Sequence, residues 1–257
     1  MEGGDTAKAL STELRTGLAF LTRLPLPVAA ETSGADVARA SWTFPVIGAG
    51  IGLVAALVYW IAYEFGLHPL LAATLAVAST LLLTGCLHED GLADTADGFG
   101  GGTTPERKLE IMRDSRLGTY GAAALVISLM LRVGVLASLA DPALAALALI
   151  AANAGARATM PPFMRNVPGA RADGLSAESG APPQQSSAIA VAIGLVVILL
   201  CLGFGAAFVT LVLLAIALAL MGWLAMSQIG GQTGDVVGAV EQVSEVLILL
   251  VAAAWLQ

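Results

Sequence analysis

The chain has 257 residues, of which 57% are hydrophobic and only 12% charged, with a formal net charge of −7. Its mean hydropathy of +0.84 is beyond a soluble domain, since such domains are roughly 45–50% apolar and about 25% charged. Composition thus excludes a disordered chain, which lacks apolar surface to bury, and the acidic balance argues against a nucleic-acid partner.

What fits is an all-α polytopic integral membrane bundle. No polar linker is long enough to separate two units, so residues 1–257 read as a single membrane-embedded catalytic domain. The first eight residues are polar and acidic, and no cleavable signal peptide is expected. Residues 10–24 carry Glu13, Arg15 and Arg23 among apolar residues, a pattern that predicts an interfacial amphipathic helix. A spanning helix needs about 20 mostly apolar residues. Seven stretches meet that need: 42–63, 69–87, 119–140, 142–160, 187–204, 206–226 and 236–256. A tight turn near Gly203 and Gly205 joins the fifth to the sixth. Cys86 and Cys201 are not spaced as a metal site and read as inert packing thiols.

Basic residues set the expected orientation. Lys8, Arg15, Arg23 and Arg39 precede the first span; Arg107, Lys108, Arg113 and Arg116 lie between the second and third; Arg157, Arg165 and Arg171 close the fourth or follow it. The connections at 64–69 and 141–142 contain no Lys or Arg. This alternation places the N-terminus and the long polar segments in the cytoplasm. Arg132 is the one basic residue inside a span, and it is expected to snorkel or to pair with another helix. Glu241 and Glu245, one turn apart in the last span, should face the bundle interior for the same reason.

Three polar motifs stand out. In the first, Asp90, Asp94 and Asp97 follow the second span at i, i+4 and i+7, which stacks three carboxylates on one helix face. Such like charges repel unless a cation neutralises them, and Mg²⁺ takes one or two carboxylates plus phosphate oxygens. The glycines from Gly98 to Gly102 are either a helix stop or a place where backbone approaches a phosphate. His88, just before Asp90, is a candidate metal ligand, general base or interfacial hydrogen-bonding residue. In the second motif, Pro105 opens a helix that puts Glu106, Glu110 and Asp114 on one face and Arg113 and Arg116 on another. Guanidinium groups suit phosphate oxygens, although i,i+3 and i,i+4 surface ion pairs produce the same pattern. In the third, Gly230, Gly231, Gly234 and Asp235 open the last span, where Asp235 would cap the helix or help hold an anion or metal at its N-terminus.

At these motifs the chain resembles the cobalamin synthase family, also called adenosylcobinamide-GDP ribazoletransferase. The matching stretches are Phe20-Leu21-Thr22-Arg23-Leu24-Pro25, residues 88–98, residues 109–118 and residues 230–238, in the family's order. Glu89 departs from the family pattern, which has an apolar residue there. The resemblance implies a multi-pass inner-membrane enzyme of B12 biosynthesis that requires Mg²⁺. In that reaction α-ribazole or its 5′-phosphate displaces GMP from adenosylcobinamide-GDP. Phosphoryl transfer is mostly positioning and charge neutralisation. The resemblance therefore assigns Asp90, Asp94 and Asp97 to Mg²⁺, and Asp114 to the metal or to the general base, with His88 the other catalytic candidate. Substrate phosphates would fall to Arg113 and Arg116, with Glu110, Asp235 and Arg157 as further substrate-binding candidates. The corrinoid is large, so an open cytoplasm-facing cavity is expected. A homo-oligomer is compatible with the small residues of 143–158, which allow close packing within or between subunits. Two rivals fit less well. A CDP-alcohol phosphotransferase would need an arginine after Asp90-Gly91 in place of Leu92-Ala93-Asp94, and a transporter would gather its charges at the membrane midplane.

Overall fold

The computed structural model describes residues 2–26, 33–171 and 180–256. Its elements are helices: α1 (Glu2–Leu21), α2 (Gly34–Ala40), α3 (Phe44–Glu64), α4 (Pro69–Thr84), α5 (Leu87–Gly101), α6 (Pro105–Ile111), α7 (Thr119–Leu139), α8 (Pro142–Asn166), α9 (Gln184–Ile229) and α10 (Gly234–Trp255). Several starts follow from local chemistry. Asp141 accepts the N–H groups of Ala143 and Leu144 at 2.8 and 2.9 Å and Pro142 occupies the first turn of α8, where its missing N–H costs nothing. Thr104 and Pro105 begin α6 in the same manner.

Five helical runs are long and apolar enough to cross a membrane, and the bent pair α4–α5 makes a sixth. One of the five, α9, has 46 residues, about 69 Å at 1.5 Å per residue, more than twice a bilayer core. It is not one rod. Gly203 breaks it with φ 77° and ψ 172°, a backbone state that glycine alone adopts freely. Both ends of α9 reach the same end of the bundle. Ser186 Oγ donates to the Arg39 carbonyl at 3.1 Å, and Gln228 Oε1 accepts from Lys108 Nζ at 2.5 Å. The break itself lies at the far end, beside Trp255, which closes α10. So α9 is a hairpin whose two arms are the expected fifth and sixth spans.

The second span ends earlier than expected, at Thr84. Gly85 and Cys86 both take left-handed conformations, with φ 67° and 58°, and α5 leaves at 89° to α4. That bend carries the acidic motif sideways across the bundle, where α5 packs against α7 and α10.

α8 is the central helix, touching α3, α9 and α10 most extensively. All but Ala146 of its alanines from Ala145 to Ala158 are buried, so this small-residue stretch packs within the chain. Opposite it, Gly48 and Gly52 on α3 bring backbone to backbone. A Cβ at Gly48 would overlap the Asn153 carbonyl, and one at Gly52 would lie 2.5 Å from the Leu149 carbonyl oxygen. This is the close approach by which helices associate in lipid, where hydrophobic exclusion no longer drives them together. Gly52→Val is expected to abolish the monodisperse gel-filtration peak of the detergent-purified protein. Gly50→Ala, whose Cβ meets nothing within 4 Å, should elute as the wild type; equal behaviour of the two variants would refute the packing account.

Candidate active site

The site is built where α5 crosses α10. Gly91 and Gly238 allow this crossing: a Cβ on Gly91 would stand 2.7 Å from the Asp235 carbonyl oxygen, and one on Gly238 would stand 3.3 Å from His88 Cα. Three features meet there.

The first is a buried ionic network. Arg132 of α7, 1% exposed, donates to Glu89 Oε1 at 2.7 Å and to Thr80 Oγ1 at 3.0 Å, and it stands 3.1 Å from Glu245 Oε1. Gln242 ties the carboxylates together, donating to Glu89 at 3.2 Å, Glu241 at 3.0 Å and Glu245 at 3.4 Å. Arg157 of α8 lies 2.8 Å from Glu241 Oε1. Its hydrogen bonds go to the Asn153 carbonyl and Oδ1, so charge rather than a hydrogen bond couples it to Glu241. Arg132 thus pairs with other helices, and Glu241 and Glu245 face inward, as their position in lipid demands. One expectation needs correction: Arg157 is enclosed and neutralised within the bundle, so it is not placed to bind substrate. The network lies inside the bundle, and its Arg132 Nε, Arg157 Nε and Glu241 Oε1 have no hydrogen-bond partner.

The second feature is His88, 2% exposed. Its Nδ1 faces Glu241 Oε2 at 3.2 Å. A ring nitrogen beside a carboxylate carries hydrogen, which leaves Nε2 of the neutral ring as an acceptor. That Nε2 is buried and has no partner, and His88 lines a cavity of about 200 Å³ shared with Asp90, Gly91 and Asp235.

The third is an open groove of about 1090 Å³ lined by Glu89, Asp90, Asp94, Arg113 and Asp114. Asp90 is exposed and borders both cavity and groove. Asp94 is half-buried and lies in the field of Asp90 and Asp235. Asp235 accepts from Thr233 Oγ1 at 3.2 Å and stands 3.9 Å from Arg171 Nη2. Thr233, not Asp235, is the N-cap of α10. Among the described residues no group of three His, Cys, Asp or Glu side chains stands close enough to hold a metal ion by itself.

The remaining candidates separate from these. Asp97 is buried, and its carboxylate accepts the N–H groups of Gly118 at 2.7 Å and Gly121 at 2.8 Å. It anchors the N-terminus of α7, where a negative charge is stabilising, and both oxygens are occupied. Asp97 therefore does not join Asp90 and Asp94 as the third of three converging carboxylates that the sequence led one to expect. Helix α6 ends at Ile111, so Asp114 does not share its face with Glu106 and Glu110. Asp114 pairs instead with Arg116, through Nε at 3.0 Å and Nη2 at 2.5 Å, which holds its carboxyl at about 2, well below the usual carboxylate range. Arg116 is largely exposed and is not among the residues that line the groove. Glu110 is exposed and pairs with Arg107 at 2.6 Å. The glycine run serves packing: Gly98 abuts Met112 and Gly102 abuts the Lys108 backbone.

The comparisons with known proteins bear directly on this arrangement. The model of the cobalamin-5-phosphate synthase family matches residues 13–253. The chain belongs to that family. It is 55% identical to an adenosylcobinamide-GDP ribazoletransferase of Bradyrhizobium diazoefficiens over 98% of this chain and 97% of the relative. Identity is 49% to the protein of that name in Mesorhizobium japonicum, over 92% and 90%, and 47% to that of Azorhizobium caulinodans, over 93% and 94%. No solved structure matches. Within this member of the family, Glu89 is now accounted for as the counter-ion of Arg132. Arg171, counted above only for orientation, stands beside Asp235, which a loop arginine gives no sequence pattern to foretell. Asp97→Asn would leave only one acceptor oxygen for two N–H groups, a loss of about 1–3 kcal/mol. A thermal melt in detergent should move to clearly lower temperature; an unchanged melt would return Asp97 to the list of candidate ligands.

Proposed function

We propose that this chain transfers the adenosylcobinamide phosphate group from adenosylcobinamide-GDP to α-ribazole or α-ribazole 5′-phosphate, giving adenosylcobalamin or its 5′-phosphate and GMP. It does so from the inner membrane, with the groove open to the cytoplasm. The observation that carries the reading is an acid-lined open groove near a buried histidine that Glu241 holds through Nδ1 and whose Nε2 has no partner, in a chain of this family.

The acceptor hydroxyl oxygen attacks the phosphorus that bears cobinamide. A P–O bond forms, the bond to the GMP phosphate breaks, and the hydroxyl proton must be received. His88 is better suited to receive it than Asp114. Its Nε2 is an acceptor without a partner, fixed through Nδ1 by Glu241. The Asp114 carboxylate is engaged by Arg116 and held at about 2, which makes it a weak base at neutral pH. Arg113, on the groove wall, and Arg171, beside Asp235, are placed to bind phosphate oxygens. The residues fit Mg²⁺: Asp90 and Asp94 on one face of α5, with Asp235 across from them, supply the one or two carboxylates that this ion takes when phosphates complete its shell. When bound, the ion would neutralise diphosphate charge and polarise the reacting phosphorus. The open form of the groove suits a corrinoid too large for a closed pocket.

Purified protein given adenosylcobinamide-GDP, α-ribazole 5′-phosphate and Mg²⁺ should release GMP. Absence of GMP from folded protein would sink the reading. Asp94→Asn should lower kcat at least about 100-fold, the scale of losing one stabilising contact in the transition state, with wild-type expression and melting; near-normal turnover would remove Asp94 from the site. His88→Ala should cost about 100-fold or more in kcat. For orientation, Asp141→Cys in a background lacking Cys86 and Cys201 should react with an impermeant maleimide only from the periplasmic side. Labelling from the cytoplasm would invert the assignment.

A further inference from the structure

The cavity behind His88 has work beyond holding that ring. Its walls are apolar, built from Phe20, Phe44, Met160 and Met164. Phe20 and Phe44 stack with centroids 5.7 Å apart and an interplanar angle of 29°, and the two methionines supply polarizable sulfur that favours aromatic contact. An all-apolar cavity would suit an acyl chain, but this one contains two buried polar atoms without partners. One is His88 Nε2. The other is Ser41 Oγ, at the junction of α2 and α3, on a residue 1% exposed. Buried hydroxyls and ring nitrogens are nearly always hydrogen-bonded, and a hydrocarbon chain offers neither atom a partner. The fitting occupant has a flat apolar body and polar atoms at its edge. The exposed rim of the cavity includes Asp90, which also borders the groove, so a ligand seated inside would extend its polar end to the phosphates.

We infer that this cavity is the acceptor subsite: the heterocyclic base of the nucleoside substrate lies between the aromatic and methionine walls with its edge on Ser41 Oγ, and its ribose presents a hydroxyl to His88 Nε2. This rests on the reaction proposed above and adds where the acceptor binds and which residues select it. Ser41 acts in binding and touches no reacting atom. Ala38, also on the cavity wall, limits the depth available to the ring.

Equilibrium binding of α-ribazole 5′-phosphate to the full chain in detergent, with neither donor nor Mg²⁺, tests the subsite apart from the chemistry. Ser41→Ala should raise the acceptor Kd, and the KM for acceptor in turnover, about tenfold, the loss of one hydrogen bond. Ala38→Leu, which fills the cavity, should raise both at least as much. The KM for adenosylcobinamide-GDP should not move in either variant, and thermal melts check that both remain folded. If the donor KM rises instead, the cavity holds part of the donor and the inference fails. If phospholipid acyl chains compete with the acceptor no better than for a cavity-filled variant, the lipid alternative falls; if they alone bind wild-type protein, the inference is overturned. Turnover with acceptor Kd and KM unchanged in both variants would overturn the subsite while leaving the reaction intact. Ser41-dependent binding without GMP release would do the reverse.

Discussion

A guanidinium in the middle of an apolar bundle must be neutralised where it stands, and Arg132 is neutralised by Glu89 and Glu245. These partners come from α5 and α10, and a third contact, Thr80, comes from α4. The pair therefore does more than remove a cost. Removing either partner of a buried ion pair leaves an uncompensated charge, at about 3–5 kcal/mol. The bent α4–α5 unit is thereby tied to α7 and α10 at the level where α5 turns aside. Gln242, bonded to three glutamates, fixes the same crossing from α10. With that crossing in place, Asp90 and Asp94 come to the groove and His88 comes to Glu241.

The acids of α5 divide their labour by burial. Glu89 and Asp97 are inside and spend their charge on structure, one on Arg132 and one on the N-terminus of α7. Asp90 and Asp94 instead line the groove. Repulsion between such carboxylates is tolerable because the inner two are each neutralised by a partner that the fold supplies. The same sorting separates the arginines: Arg132 and Arg157 are internal counter-charges, whereas Arg113 and Arg171 stand at the groove and beside Asp235.

His88 joins the two halves of the site. On one side Glu241, itself beside Arg157, engages Nδ1; on the other, Nε2 is buried without a partner in a residue that lines the cavity. The ionic network is thus continuous with the cavity lining, because the Arg157–Glu241 pair also holds the His88 ring.

Much of this was legible from residue order. Hydropathy periods located every span, and the hairpin at Gly203 was visible because two apolar runs met at glycines. The acidic helix, the inward glutamates and a partner for Arg132 followed from what lipid permits. Spacing, however, shows only which residues share a face of an ideal helix. It could not show that two left-handed residues at Gly85 and Cys86 would turn α5 across the bundle, nor that Asp97 would meet the N–H groups of Gly118 and Gly121, 21 and 24 residues away. The roles of Glu89, Arg157 and Ser41 depend on which atoms of other helices stand beside them. Sequence determined that this chain lies in the membrane and carries an acidic site. Tertiary structure alone decided which of those charges are enclosed in the bundle and which line the groove, because that choice is set by burial and by partners distant along the chain.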